Sequence, residues 1–205
     1  MSPHPDPTPR PDPTPQFIRD RLDSGERRRH ARDGYRRAAV LIPLVAAHRD
    51  WEVVLTRRNG DLPHHRGQIA FPGGSADPGE TCVQAALREA YEEIGLDPAH
   101  VEVLGCHDDI WTPSGFIISP VIGILAGHGP FAPNPDEVAR VFSVPLSFFA
   151  DEQKAERQVI RHDGVDREVY FYHWDGETIW GATALILRNF LSLLGLIDDR
   201  RRSIA

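Results

Sequence analysis

GGSADPGETCVQAALREAYEEIGL, residues 73–96, decides how the rest of the chain is read. It opens on paired glycines, passes through a turn-forming Asp77-Pro78-Gly79, and ends with three glutamates crowded around one arginine in REAYEE (88–93). Thr81 followed three residues later by Gln84 is a capping-box pattern, so a helix is expected to start there. Val83, Ala86, Leu87, Ala90 and Ile94 recur at helical spacing on one face, and Gly95 is suited to stop the helix. On such a helix Glu89 lies beside Glu92 and Glu93, because residues three and four apart share a face. Like charges so placed repel by a few tenths of a kcal/mol per exposed pair. Glu92 and Glu93 also meet the negative end of the helix dipole. Folding gains nothing from this, whereas a divalent cation would, and hard oxygen ligands suit magnesium or manganese. Three glutamates alone describe a solvated face equally well. What shifts the balance is Phe71-Pro72-Gly73-Gly74 just upstream, whose bare backbone can approach a metal or a phosphate.

Outward from this segment, RAAVLIPLVAA (37–47) and WEVVLTRR (51–58) read as two strands joined by a polar turn at His48-Arg49-Asp50. Residues 59–80 are rich in glycine and proline, as in a long functional loop or a strand broken by turns. VEVLGCHDDIW, FIISPVIGILAG, ARVFSVPL and REVYFYHW (167–174) are strand-like, and TALILRNFLSLLGLI (183–197) is an apolar helix. Strands on both sides of one internal helix predict a mixed α/β sandwich rather than a serial βαβ fold. The basic run ERRRHARDGYRR (26–37) reads as a solvated helix face, after a short helix in QFIRDRLDSG (16–25). Residues 1–16 carry proline at every odd position from 3 to 15, so an extended tail is expected there and a single domain over 17–205. The net charge of −7 argues against a nucleic-acid partner, and a phosphate-bearing substrate needs local positive charge or a metal. The two cysteines, Cys82 and Cys106, lack CxxC spacing, so neither a zinc site nor a disulfide framework is expected. The longest apolar run, AAVLIPLVAA (38–47), is too short for a membrane span, and with no signal core the expected location is cytoplasmic.

Gly74, Glu80 and then Arg88-Glu89-Ala90-Tyr91-Glu92-Glu93-Ile94-Gly95-Leu96 fall at the spacing of the signature of the Nudix hydrolases, which this chain resembles. Every fixed position is filled, although Ala90 stands where a bulkier aliphatic is usual. The resemblance implies a Nudix-like α/β/α sandwich with a mixed sheet and a loop-helix-loop motif, hydrolysing the pyrophosphate of a nucleoside diphosphate linked to another group. It further implies that Glu92 and Glu93 hold Mg2+ or Mn2+, with the Gly74 carbonyl assisting. Glu89 would be a further ligand or the base that activates water, and Arg88 and Glu80 would hold the motif in shape. An additional acid beyond the helix is expected at Glu137, with Asp136 as its neighbour.

LTRRNGDLPHHRGQIAFPGG (55–74) is similar to a second signature, that of the coenzyme A pyrophosphatase branch, through Leu55, Thr56, Arg58, Gly67, Phe71, Pro72, Gly73 and Gly74. Asn59 and Pro63 depart from it, and Pro63 replaces an arginine; Arg66, His64 or His65 would have to compensate. The expected substrate is therefore coenzyme A or a derivative, cleaved to 3′,5′-ADP and 4′-phosphopantetheine. Arg58, Arg66, Gly73, Gly74 and Phe116 are the expected substrate contacts. Phe116 and Trp180 read either as core aromatics or as lining for adenine or the pantetheine arm. The rival readings are an ADP-ribose or other nucleoside-diphosphate hydrolase and a Nudix-fold sensor module without catalysis. No nucleic-acid or membrane partner is expected, and a homodimer is left open.

Overall fold

The computed structural model describes residues 13–48, 50–60, 67–127, 129–162 and 164–198. β1 (Arg36–Ala47) and β2 (Asp50–Arg58) form a hairpin that sets Leu44 opposite Val53 and Ala47 opposite Asp50. The segment expected to be a long loop or a strand broken by turns supplies two short strands, β3 (Ile69–Ala70) on β2 and β4 (Gly73–Ser75) on β1. β5 (Val101–Cys106), β6 (Ile110–Thr112), β7 (Phe116–Leu125) and β8 (Val138–Pro145) complete an eight-stranded sheet. β7 runs parallel to β1, from Arg36 opposite Phe116 to Leu44 opposite Ile124, while the other pairings are antiparallel. The sheet is therefore mixed, as expected.

β1 is central and covered on both faces, which is why it reads as an almost unbroken apolar run rather than an alternation. A proline in a central strand removes a ladder donor. Here Pro43 falls where β1 passes from one neighbour to the next: β4 pairs Ala38 to Val40 and β2 pairs Leu44 to Ala47. The Leu41 amide donates to the Pro72 carbonyl at 2.9 Å on that side, so the donor missing two residues later falls in the gap.

Alternate residues of the sheet feed two cores. On one face Ala39, Leu41, Val45, Val54 and Val121 pack against α2 (Cys82–Ile94). On the other, Ile42, Leu44, Val53, Leu55 and Ile122 meet Ile18 of α1 (Pro15–Asp23), Phe149 of α3 (Leu146–Ala150) and the apolar side of α4 (Gly181–Leu193). A small second sheet of β9 (Glu156–His162), β10 (Val165–Trp174) and β11 (Glu177–Trp180) contributes Tyr172 and Ile179 to this second core. Only β10 of that sheet is foreseeable from patterning, because β9 is exposed along its described length and β11 is four residues long.

Two expectations need correcting. α1 begins at Pro15, before the expected domain start at 17, because proline's fixed φ and absent amide suit the first helical position. The Thr14 hydroxyl caps the helix, and the Pro13 carbonyl accepts from the Trp51 indole at 2.7 Å. Residues 26–32 are not a helix face but an irregular segment held against residues 107–109, between β5 and β6. Arg27 pairs with buried Asp109 at 2.6 Å and Arg28 with Asp108 at 2.8 Å, which outcompetes helix formation. Among the described residues no helix is long and apolar enough to cross a membrane.

Candidate active site

The signature helix forms as its sequence dictates. The Thr81 hydroxyl accepts from the Gln84 amide at 3.2 Å and the Gln84 side chain accepts from the Thr81 amide at 2.9 Å, a reciprocal cap. Gly95 ends the helix in the left-handed conformation at φ 66°. Between these caps the three glutamates take distinct environments. Glu93 turns inward and is 3 % exposed, accepting from the Gly73 amide at 3.2 Å with Arg58 at 3.4 Å. Glu89 is partly buried against Gly74, while the Glu92 side chain stays half exposed.

Arg88 organises the outer part of the cluster. Its guanidinium donates to Glu80 at 2.9 Å, to Glu89 at 2.9 Å, to Glu92 at 3.0 Å and to the Ser75 carbonyl at 2.9 Å. One arginine therefore binds the loop before the helix to two acids on it. Those hydrogen bonds raise the Arg88 guanidinium further and hold Glu80 below the usual carboxylate range. The other two perturbed acids move the opposite way. Burial pushes Glu93 up to about 7, against the Gly73 amide and Arg58, with the charges of Glu89 and Glu137 adding to the rise. Burial likewise raises Glu89, with Glu92 and Glu137 contributing. Glu137 therefore faces the cluster from the loop before β8. Asn134 donates to its carboxylate at 3.3 Å, and its backbone carbonyl takes the Asn59 amide at 2.8 Å.

Close approach requires Gly73, which lies against the β1 backbone, and Gly74 lies against the Glu89 carboxylate. A Cβ on Gly73 would stand 2.6 Å from Cα of Val40, and one on Gly74 would stand 2.5 Å from the carboxyl carbon of Glu89. The backbone thus lies directly against the acidic strip. Among the described residues no three His, Cys, Asp or Glu side chains already stand as a closed metal cage. Arg88 separates Glu89 and Glu92, and Glu93 is turned to Gly73. The donor set nevertheless fits a hard divalent ion: carboxylates and backbone carbonyls, two of the acids raised by burial, and no sulfur or imidazole among them.

Of the other expected contacts, Arg58 and Gly73 meet at Glu93, and Arg66, with Pro63, His64 and His65, lies outside the described residues. Phe116 stands apart from the acids, opposite Arg36 in register, with that guanidinium 4.2 Å above its ring. Trp180 is not a core aromatic: it is 40 % exposed and stacks on Phe171 at 5.8 Å. Two groupings escaped the sequence reading. Arg32 and Arg167 both lie 4.5 Å from the Trp111 ring centre, and Asp109 gathers Arg27, Ser119 and the His30 amide. Their members are drawn from distant parts of the sequence, which no local pattern connects.

Comparison with known proteins agrees with this architecture. The NUDIX domain family model matches residues 34–163. The chain is 41 % identical over 162 residues to the uncharacterized Nudix hydrolase NudL of Pectobacterium atrosepticum, covering 74 % of this chain and 79 % of that protein. It is 38 % identical over 155 residues to the NudL protein of Yersinia pestis, covering 75 % of this chain and 77 % of the relative. Among solved structures, a Nudix hydrolase from M. smegmatis, RenU, aligns with a TM-score of 0.50 at 28 % identity, over 58 % of this chain and 75 % of that one. DR0079 from Deinococcus radiodurans aligns with a TM-score of 0.52 at 14 % identity over 75 % and 81 %, a likeness of fold.

Proposed function

This chain belongs to the Nudix family, hydrolases of pyrophosphate bonds, and on that premise we propose that it cleaves coenzyme A or a derivative to 3′,5′-ADP and 4′-phosphopantetheine. The observation that carries the chemistry is the acidic strip lodged against Gly73 and Gly74, with more carboxylates than the local arginines neutralise. Glu92 and Glu93, with the Gly74 carbonyl, are the proposed holders of Mg2+ or Mn2+. When bound, such an ion neutralises diphosphate charge and acidifies water. Glu89 takes the proton from the attacking water, a role favoured by burial that raises its carboxyl. The water oxygen bonds to phosphorus as the bridging P–O bond breaks, and the bridging oxygen leaves with the departing phosphate. Arg88 and Glu80 position the strip, and Glu137 closes it from the opposite loop.

Coenzyme A is favoured by the second signature, whose described members Leu55, Thr56, Arg58, Gly67, Phe71 and Pro72 lead directly into Gly73-Gly74. Local positive charge beside aromatic faces supports the same reading. Arg36 over Phe116 and Arg32 over Trp111 have no carboxylate partner among the described residues. Arg36 is three strand residues from Ala39, the partner of Gly74, or about 10 Å along the strand. That suits an adenosine carrying a second phosphate, with stacking for the base.

The test is to incubate the protein and Mg2+ or Mn2+ with coenzyme A, ADP-ribose and a dinucleoside polyphosphate, then resolve the products by chromatography. Coenzyme A is expected to give the highest kcat/KM. Faster turnover of ADP-ribose would overturn the substrate while leaving the hydrolase assignment standing.

A further inference from the structure

Cys82 and Cys106, the only two cysteines of the chain, have their sulfur atoms 3.3 Å apart. Cys82 is the first residue of α2 and Cys106 the last of β5, so the contact joins the start of the acidic helix to the sheet. Both side chains are half-buried and both are free thiols. A disulfide holds its sulfurs at about 2.05 Å, so these two need to approach by only about 1 Å.

The surroundings are not those of two inert core thiols. The Arg27 guanidinium lies 3.5 Å from the Cys82 sulfur. It is held there by the Asp109 carboxylate at 2.6 Å and the His107 carbonyl at 2.8 Å. Asp109 is itself fixed by the Ser119 hydroxyl at 2.7 Å and the His30 amide at 3.1 Å. The guanidinium is thus positioned to favour negative charge on Cys82, and the first turn of a helix favours it as well. In keeping with this geometry, the hydrogen bond from Cys106 pulls Cys82 down to about 5, with Arg27 assisting, and the same contact together with burial pushes Cys106 up. Arg27 and the helix start thus single out Cys82 rather than Cys106 as the more nucleophilic sulfur.

We propose that Cys82 and Cys106 form a reversible oxidation site, which a small-molecule disulfide converts to an intramolecular disulfide linking the catalytic helix to β5. The Cys82 thiolate attacks one sulfur of the small disulfide, forming a mixed disulfide and expelling one small thiolate. Cys106 loses its proton to water and attacks the Cys82 sulfur, releasing the second small thiolate. The protein gives up two electrons and two protons, and one small disulfide becomes two small thiols. This site is independent of which diphosphate the enzyme cleaves.

The experiment uses the full chain, fully reduced and natively folded, exposed without oxygen to excess oxidised glutathione. Thiols are titrated and intact mass is measured under non-reducing conditions. Both thiols are expected to disappear together, leaving a monomer lighter by two hydrogens with no glutathione attached, and dithiothreitol is expected to restore both. Cys106→Ser should stop at a stable glutathione adduct on Cys82, formed at least 10-fold faster than any adduct on Cys106 in Cys82→Ser. Two thiols persisting in the folded wild type would overturn the proposal. So would a wild-type product that ends as a glutathione adduct or as a disulfide-linked dimer. The wild-type measurement stands whether or not either variant folds.

Discussion

Two of the acid–arginine clusters among the described residues are built to different rules. At the junction of the two sheets, Glu177 accepts from Arg57 at 3.1 Å and Arg140 at 3.2 Å, and Arg140 also reaches Asp175 at 2.6 Å. Two acids meet two arginines and the charges cancel. Along α2, Glu80, Glu89, Glu92, Glu93 and Glu137 gather around Arg88 and Arg58 alone among the described arginines. Burial leaves Glu89 and Glu93 raised, so the cluster is charge-deficient where it is deepest. A balanced cluster holds the fold together. An unbalanced one, kept in place by a helix cap and two glycines, has the donor set of the proposed divalent-cation site.

The contrast is broken most directly at Glu93. Glu93→Gln is expected to lower kcat/KM by about 100-fold or more, measured with Mg2+ at saturation. The same change should stabilise the metal-free protein above neutral pH. The Glu93 carboxyl titrates near 7 in the fold against 4.5 when unperturbed. Between those values the native state holds a proton that the unfolded chain has released, so metal-free stability falls as pH rises through this window, by about 3 kcal/mol. Urea unfolding in a chelator at pH 4.5 and pH 8 should show a fall that is smaller by about that amount in Glu93→Gln, where the raised Glu89 remains, than in the wild type. A decline of equal size in both proteins would mean that Glu93 is not the group responsible.

Glu177→Ala should behave in the opposite sense. It leaves two arginines without their shared acceptor and is expected to cost about 2 kcal/mol of stability by denaturant unfolding, with kcat/KM within about 3-fold. A large loss of activity without destabilisation would place Glu177 among the reacting groups and erase the distinction. Gly74→Ala sharpens the active cluster. Its Cβ meets the movable end of Glu89 rather than backbone, so the fold should tolerate it while kcat/KM drops about 10-fold, near 1.4 kcal/mol. The smallest expected effect is at the helix start. Thr81→Ala removes the cap and should lower stability by about 1 kcal/mol, seen as a reduced urea midpoint at unchanged slope.

Much of this is legible in the sequence. The start and stop of α2, the β1–β2 hairpin and the mixed α/β class follow from local signals: a capping box, a glycine in the left-handed conformation, and apolar runs of helical or strand length. These depend on residues within about four positions of one another, which is the range over which helix caps and turns act. The gathering of Glu89, Glu92 and Glu93 on one short helix was readable for the same reason.

What only the tertiary structure decided is how each of those groups is set. Adjacent residues Glu92 and Glu93 have the same chemistry, yet one faces solvent and the other is buried beneath Gly73 and Arg58. Arg27 could not be distinguished by pattern from the other arginines of its run, and it became the partner of Asp109 and Cys82. Cys82 and Cys106, dismissed by spacing as no framework, were brought into contact because β5 returns beside the start of α2. Burial and long-range contact are properties of the assembled sheet and its two cores. They shift a carboxyl or a thiol by amounts that no local window of sequence contains.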